Sequence, residues 1–321
     1  MKIIACVAAA ALLAASTLAL GQSWPAKPIK YIVPFAPGGT TDILGRMVAA
    51  GLASALGQPV VVENKPGQAG SVGSAELARA AADGYTLGGG TISSHAINAS
   101  LYPKLPYDPI RDFAPITMLA TLPNMLIVHP SLNVSSVREL VELLKVNPNR
   151  FSFGSAGNGT SQHISGELFK IMTGTQMQHI PYKGSGPMIP DLIAGTIQLS
   201  FENITTAYPQ VKGGKLKALA VTSAKRSFVA PDVPAMAEAG LPGYDITSWQ
   251  AMFAPAGTPR EIVARLHAAT AKILRMPENR DKLNQLGLEA GGMLPDELAA
   301  LIRAEIPRLG KVVRESGARV D

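Results

Sequence analysis

Apolar residues in this chain fall into short unbroken runs separated by longer stretches with helical spacing. Ile29 to Phe35 reads as a buried strand, Ala36-Pro37-Gly38-Gly39-Thr40 as a turn, and Thr41 to Leu56 as an amphipathic helix. Pro59 to Asn64 predicts a second strand and Gly73 to Ala82 a helix closed by Asp83-Gly84. Tyr85 to Ile92 predicts a third strand running into Ser93-Ser94-His95. After an irregular stretch carrying Pro103, Pro106, Pro109 and Pro115 comes an apolar run from Ile116 to Val128. Strands that alternate with helices call for a parallel sheet covered on both faces.

The second half repeats the scheme. Ser136-Val137-Arg138-Glu139 is a capping box that opens a helix to about Val146. Strand Phe151 to Phe153, the loop Gly154 to Thr160 and a helix from Ser161 to about Thr173 follow. Met177 to Pro181 predicts strand, Tyr182 to Gly186 a turn and Pro187 to Ala194 a helix. Ile197 to Phe201, Leu216 to Val221 and Ile246 to Phe253 predict further strands, the last placed to re-enter the first unit. Thr258-Pro259-Arg260-Glu261 reads as a capping box with proline at the first helical position, starting a helix to about Met276. A closing helix spans Pro295 to about Ser316, and no fixed repeat of solenoid length is visible.

Residues 1–21 break this pattern. A short positive end, a nearly continuous apolar run and Ala19-Leu20-Gly21 form a secretory signal peptide, with cleavage expected after Gly21 and a periplasmic product. The lone cysteine, Cys6, lies inside that segment, which leaves the mature chain without a disulfide or a thiolate metal cluster. With 47% hydrophobic and 16% charged residues, the 321-residue chain has ample material for a two-domain core. Its net charge of +6 is scattered and not interleaved with aromatics, so no nucleic-acid surface is visible.

The candidate chemistry sits in the turns. Several share one design: an apolar strand, a short glycine and hydroxyl turn, then a helix N-terminus, which in an open α/β sheet places them together at the carboxyl ends of the strands. The backbone N–H groups of such a first turn hold an anion without needing a lysine. Gly38 and Gly39 allow close approach in the first unit, and Gly154, Gly157 and Gly159 in the second, where Ser155, Thr160 and Ser161 add hydroxyls. Asp42 suits its own helix dipole as well as it suits a ligand ammonium; Lys183 suits an exposed turn as well as a counter-charge. His95 and His163 fit anion donation or packing equally, and the histidines have no metal-ligand spacing. Nucleotide-loop, dinucleotide, zinc-protease and nucleophile-elbow motifs are absent from the sequence. A Ser155 nucleophile with His163 as base has no evident orienting acid.

Six segments in order, Trp24 to Asp42, Val61 to Gly73, Ser93 to Asn98, Phe151 to His163, His179 to Gly195 and Phe253 to Pro259, resemble the extracytoplasmic solute receptors of tripartite tricarboxylate transporters, the Bug or TctC family. The resemblance covers essentially the whole mature chain. It implies an α/β, type II periplasmic-binding-protein fold: two α/β domains around a ligand cleft, joined by two crossing strands and closing by hinge motion. Domain I would comprise 24–125 plus 250–321 and domain II 126–249, with crossings near Asn124 to Val128 and Ser248 to Phe253. It also implies a small carboxylate ligand, membrane transporter subunits as partners, a monomer, and no cofactor, metal or nucleic acid. The implied ligand contacts are Phe35, Ala36, Gly38, Gly39, Thr40 and Asp42 on one side. Ser155, Ala156, Gly157, Thr160 and His163 face them, with Ser94, His95, Tyr182, Lys183 and Asn203 around the rim. Phe201-Glu202-Asn203 departs from a family pattern with aspartate at the middle position, so a longer acid would alter the pocket there. A sensory receptor of the same fold and a secreted serine hydrolase are the alternative readings.

Overall fold

A computed structural model describes residues 24–318; the expected signal segment and its cleavage point lie outside them. Strands β1 (Ile29–Val33), β2 (Val60–Asn64) and β3 (Thr86–Thr91) pair in parallel, with helices α1 (Thr40–Leu56) and α2 (Ser71–Ala78) between them. A π-type turn, Ser93–Ile97, and the single-turn α3 (Asn98–Leu101) follow β3. The 16-residue β4 (Phe113–Val128) leads to α4 (Val137–Val146), β5 (Ser152–Ser155), α5 (Ser161–Thr173), β6 (Gln178–Pro181), α6 (Ser185–Ile193), β7 (Leu199–Asn203), α7 (Ile204–Lys212) and β8 (Lys217–Val221). The chain ends with β9 (Thr247–Pro255), α8 (Arg260–Arg275), α9 (Pro277–Gln285), the short β10 (Glu289–Ala290) and α10 (Pro295–Glu315).

Among the described residues the strands follow the order β2-β1-β3-β9-β4-β7-β5-β6, with β8 and β10 also paired to β4. β4 belongs to both halves of this path. Its residues Phe113 to Pro123 pair antiparallel with β9, and Asn124 to Val128 pair with β7 and β8. β9 lies between β3 and β4 and is antiparallel to both. The parallel strands β5, β6 and β7 form the second α/β unit. Side chains alternate across β4: Leu126 and Val128 enter one apolar core, Met125 and Ile127 the other.

The structure differs from the sequence expectation where helical signals are weak or proline misleads. α7 was not expected, because its threonines and the internal Pro209 hide its period. α9 was missed because PENRDKLNQ buries only Leu283. β4 starts earlier than Ile116 and tolerates Pro115 and Pro123, with register shifts after Pro115 and after Met118. The Ser136 cap forms, its hydroxyl accepting the Glu139 N–H at 3.2 Å. The Thr258 cap does not: Pro259 occupies the N-cap position, and the Thr258 hydroxyl donates instead to the Pro255 carbonyl at 2.8 Å.

Candidate functional site

Turns after β1, β3, β5, β6 and β7 converge on one cavity at the carboxyl ends of these strands. The turn after β1 forms the first wall. Gly38 has a left-handed φ of 86°, and Gly39 is the N-cap of α1 without a side chain to cap it. The N–H groups of Thr40 and Thr41 therefore have no intrahelical acceptor. Thr40 is 3% exposed and its hydroxyl has no partner, so three donors of one turn are available to an anion.

Asp42 does not line the cavity; its carboxylate braces the turn from behind. Oδ2 accepts the Gly38 N–H and Arg46 Nε at 3.0 Å each, and Oδ1 accepts Asn64 Nδ2 at 2.9 Å. Asn64 also donates to the Phe35 carbonyl at 2.9 Å. Burial acts to raise the Asp42 pKa, but hydrogen bonds from Arg46, Asn64 and Gly38 and the Arg46 charge outweigh it and hold the group below its usual value.

The facing wall is the turn after β5. Thr160 caps α5, its hydroxyl accepting the His163 N–H at 3.3 Å and donating to the Gly157 carbonyl at 2.7 Å. Gly159 N–H donates to His163 Nδ1 at 3.1 Å, which leaves the His163 proton on Nε2. Ser155 lies 2.6 Å from Nε2 of His179, not against His163, and His179 stacks on His163 with ring centroids 4.0 Å apart. Ser155 is fully buried, and among the described residues no carboxylate is hydrogen-bonded to His179. Burial, then the charges of His163 and Lys170, push the His179 pKa down to about 2, which makes it a poor general base.

The walls already touch. The Ala36 N–H donates to the Lys183 carbonyl at 3.3 Å, the Ser161 N–H to Ser93 Oγ at 3.2 Å, and Tyr102 to the Asn158 carbonyl at 2.9 Å. The space left to the centre of a water-sized sphere is about 20 Å³.

Of the residues anticipated from sequence, Phe35, Gly39, Thr40, Ala156 and Asn203 line the cavity. Ala36, Gly38, Gly157 and Thr160 shape the turns behind it. Ser94 and His95 are packed inward: Ser94 Oγ contacts His95 Nδ1 at 2.8 Å, and His95 stacks on Phe253 at 4.0 Å. Tyr182 donates to Asp191 at 2.6 Å, and the Lys183 side chain is exposed, with only its backbone bridging the walls. Ser161, whose hydroxyl the sequence also singled out, lines it as well; Thr41, Thr91, Ser93, Gln162, Ser185, Ser248 and Gln250 do too and were not anticipated. The Gly-hydroxyl signal marked several of these turns, whereas Ser248 and Gln250 come from β9, whose apolar pattern gives no hint of them. Among the described residues no cluster of three His, Cys, Asp or Glu is placed to hold a metal, and no helix is long and apolar enough to cross a membrane.

Two buried histidines, His95 and His163, and the partly buried His179 make the site acid-sensitive. Burial lowers the pKa of His95 to about 3; burial and then Lys170 lower His163 to about 4; His179 lies at about 2. A folded pKa below the unfolded value of 6.5 means that the unfolded chain binds more protons, so stability is lost as pH falls below 6.5. Each excluded proton contributes about 1.4 kcal/mol per pH unit. Glu202, whose pKa is raised by burial, offsets at most one of the three. Chemical denaturation at pH 7.5, 6.5 and 5.5 is expected to show falling stability with a net uptake of about two protons on unfolding; a flat profile would contradict a neutral folded state of these rings.

Comparison with known proteins agrees with this architecture. A model of the tripartite tricarboxylate transporter family receptor matches residues 44–318. Protein BugT of Bordetella pertussis is 37% identical over 300 residues, covering 93% of this chain and 92% of that protein. R. palustris Rpa4515 with adipate superposes with a TM-score of 0.90 at 40% identity, covering 92% of this chain and 100% of that one. MatC from Rhodopseudomonas palustris with bound malate gives a TM-score of 0.87 at 34% identity, covering 90% and 100%. The type II periplasmic-binding-protein fold, with two α/β units around a cleft, is shared with these receptors. By sequence and by fold, the chain belongs to the TctC or Bug family of periplasmic solute-binding receptors.

Proposed function

We propose that this protein captures a small organic carboxylate in the cleft and presents it to the membrane subunits of a tripartite tricarboxylate-type transporter, without chemically altering it. The observation that carries this reading is the uncapped first turn of α1, where the Thr40 and Thr41 N–H groups and the unpartnered Thr40 hydroxyl meet a hydroxyl-rich wall across a small buried cavity. The adipate and malate bound by structural neighbours support the same ligand class. In this reading residues 24–125 with 250–321 form one lobe and 126–249 the other, and they part at β4 and at the start of β9. A cavity of about 20 Å³ admits little more than one water, so a carboxylate enters when the lobes separate and is enclosed when they close. The protein works in the periplasm as a monomer after removal of its leader behind Gly21.

The test is a thermal-shift and calorimetric screen of residues 22–321 against mono-, di- and tricarboxylates, hydroxy acids, amino acids and aromatic acids. A ligand at a hundredfold excess over its Kd adds about 2.7 kcal/mol of stability, which a melting curve resolves. At least one carboxylate is expected to bind unchanged and be recoverable intact. No response from any of these anions would overturn the proposal, and turnover of a bound compound would overturn the non-catalytic role.

A further inference from the structure

The hydrogen bonds already made inside the cavity wall decide which polar atoms remain for a solute. On the side of β3 and β9 the wall offers donors. Thr91 Oγ1 accepts the Ser93 N–H at 3.1 Å and Ser93 Oγ accepts the Ser161 N–H at 3.2 Å, so both hydroxyls have their protons free to donate. Gln250 Oε1 accepts from Thr41 at 2.8 Å, which leaves the Gln250 amide nitrogen as the free end of that side chain.

The side formed by the start of α6 and the end of β7 has the opposite character. Ser185 Oγ donates its proton to Glu202 Oε1 at 2.7 Å and can present only lone pairs to the cavity. The same Oε1 accepts the Asn203 N–H at 2.9 Å and the Thr206 hydroxyl at 2.7 Å, while the fully buried Oε2 has no partner. Asn203 lines the cavity, and its buried Oδ1 is also without a donor. Among the described residues no lysine, arginine or histidine lines the cavity. A second carboxylate placed against this wall would meet acceptors and an acid, with no cation to compensate.

We propose that the α6–β7 wall selects a carboxylate that also carries a hydrogen-bond donor, a hydroxyl, amide or ammonium group, directed at Ser185 and Asn203, and that Glu202, buried behind them and holding the Ser185 proton, is the specificity-determining residue. This deepens the carboxylate-receptor reading and rests on it. Buried acceptors left without a donor discriminate strongly against an analogue that lacks it, because the closed complex keeps their desolvation cost without the compensating bond.

Matched probes test this by isothermal titration at one pH: adipate against adipamate and 6-aminohexanoate, and succinate against malate. In at least one series the donor-bearing member is expected to bind tenfold or more tightly than the plain diacid. The Glu202→Gln variant exchanges an acceptor for an amide donor at nearly constant volume, and is expected to shrink or reverse that preference while its melting curve stays cooperative. Equal binding within both series, or tighter binding of the plain diacids, would overturn the proposal and leave the carboxylate reading standing. If none of the five probes binds, and a broader carboxylate screen also fails, the carboxylate reading itself falls. An unchanged preference in a folded Glu202→Gln protein would overturn the role of Glu202. If that variant does not fold, Asn203→Ala on the same wall provides the second test, and an undiminished donor preference there would likewise count against the proposal.

Discussion

Replacing Gly186 with alanine is expected to weaken solute binding by a hundredfold or more while leaving the melting temperature of the free protein nearly unchanged. Gly186 lies in the first turn of α6, against the turn after β1, and an added Cβ would collide with the Pro37 carbonyl oxygen. Pro37 is backbone held between Ala36, bonded to Lys183, and Gly38, bonded to Asp42, so it has little room to yield. In the proposed two-lobe arrangement Pro37 and Gly186 belong to opposite lobes, so the conflict arises only when the two walls meet. Alanine is also a better helix former than glycine, by up to about 1 kcal/mol, which protects the stability of the open protein. Calorimetry on the best ligand of the wild-type protein, paired with small-angle scattering, gives the readout: reduced affinity and a radius that no longer contracts on ligand addition. Wild-type affinity in the variant would show that the closed contact between these turns is not needed for binding.

Asp42→Ala is expected to cost about 2 to 3 kcal/mol of stability and at least tenfold in affinity, although Asp42 does not reach the cavity. The carboxylate accepts hydrogen bonds from the Gly38 N–H, Arg46 and Asn64, and such charge-assisted bonds contribute about 1.5 to 3 kcal/mol when the groups left behind are buried. Arg46 is half exposed and recovers water, so Gly38 and Asn64 carry most of the loss. Without this brace the Gly38-Gly39 turn loses the shape that aims the Thr40 and Thr41 N–H groups. Asp42→Asn retains an acceptor for Gly38 and should recover part of both losses. If Asp42 instead contacted the solute directly, affinity would fall without the loss of stability, and urea denaturation separates the two cases.

The sequence made most of the fold readable because its signals were local. The run IKYIV, the Ser136 cap and the glycines at 38, 39 and 157 each specify their own element, and each is found where expected. The site was legible only as far as its turns. Ser155 and His163 look like neighbours in sequence, yet the rings stack so that His179, from the next strand, takes the Ser155 hydroxyl. His95 follows a serine turn that resembles an anion grip, but a π-type turn swings it into the core against Phe253. Gln250 reaches the cavity only because β9 lies between β3 and β4, a long-range pairing that no local pattern encodes. The chemistry of a solute wall depends on which hydroxyls are already committed, and that becomes visible only with the partners in place.

The position of β9 also sets the order of assembly. β3 and β4 are not paired to each other; β9, made much later in the chain, joins them. A polypeptide emerging from its N-terminus would have β1 to β4 unable to complete their sheet, while β5, β6 and β7 can already pair among themselves and with the end of β4. Until residues 247–255 emerge, two strand edges stay open to aggregation or to a chaperone. Folding of the first unit is therefore gated by the last quarter of the chain, and a nascent protein stalled before Thr247 should be sensitive to proteases in its first half and resistant in its second.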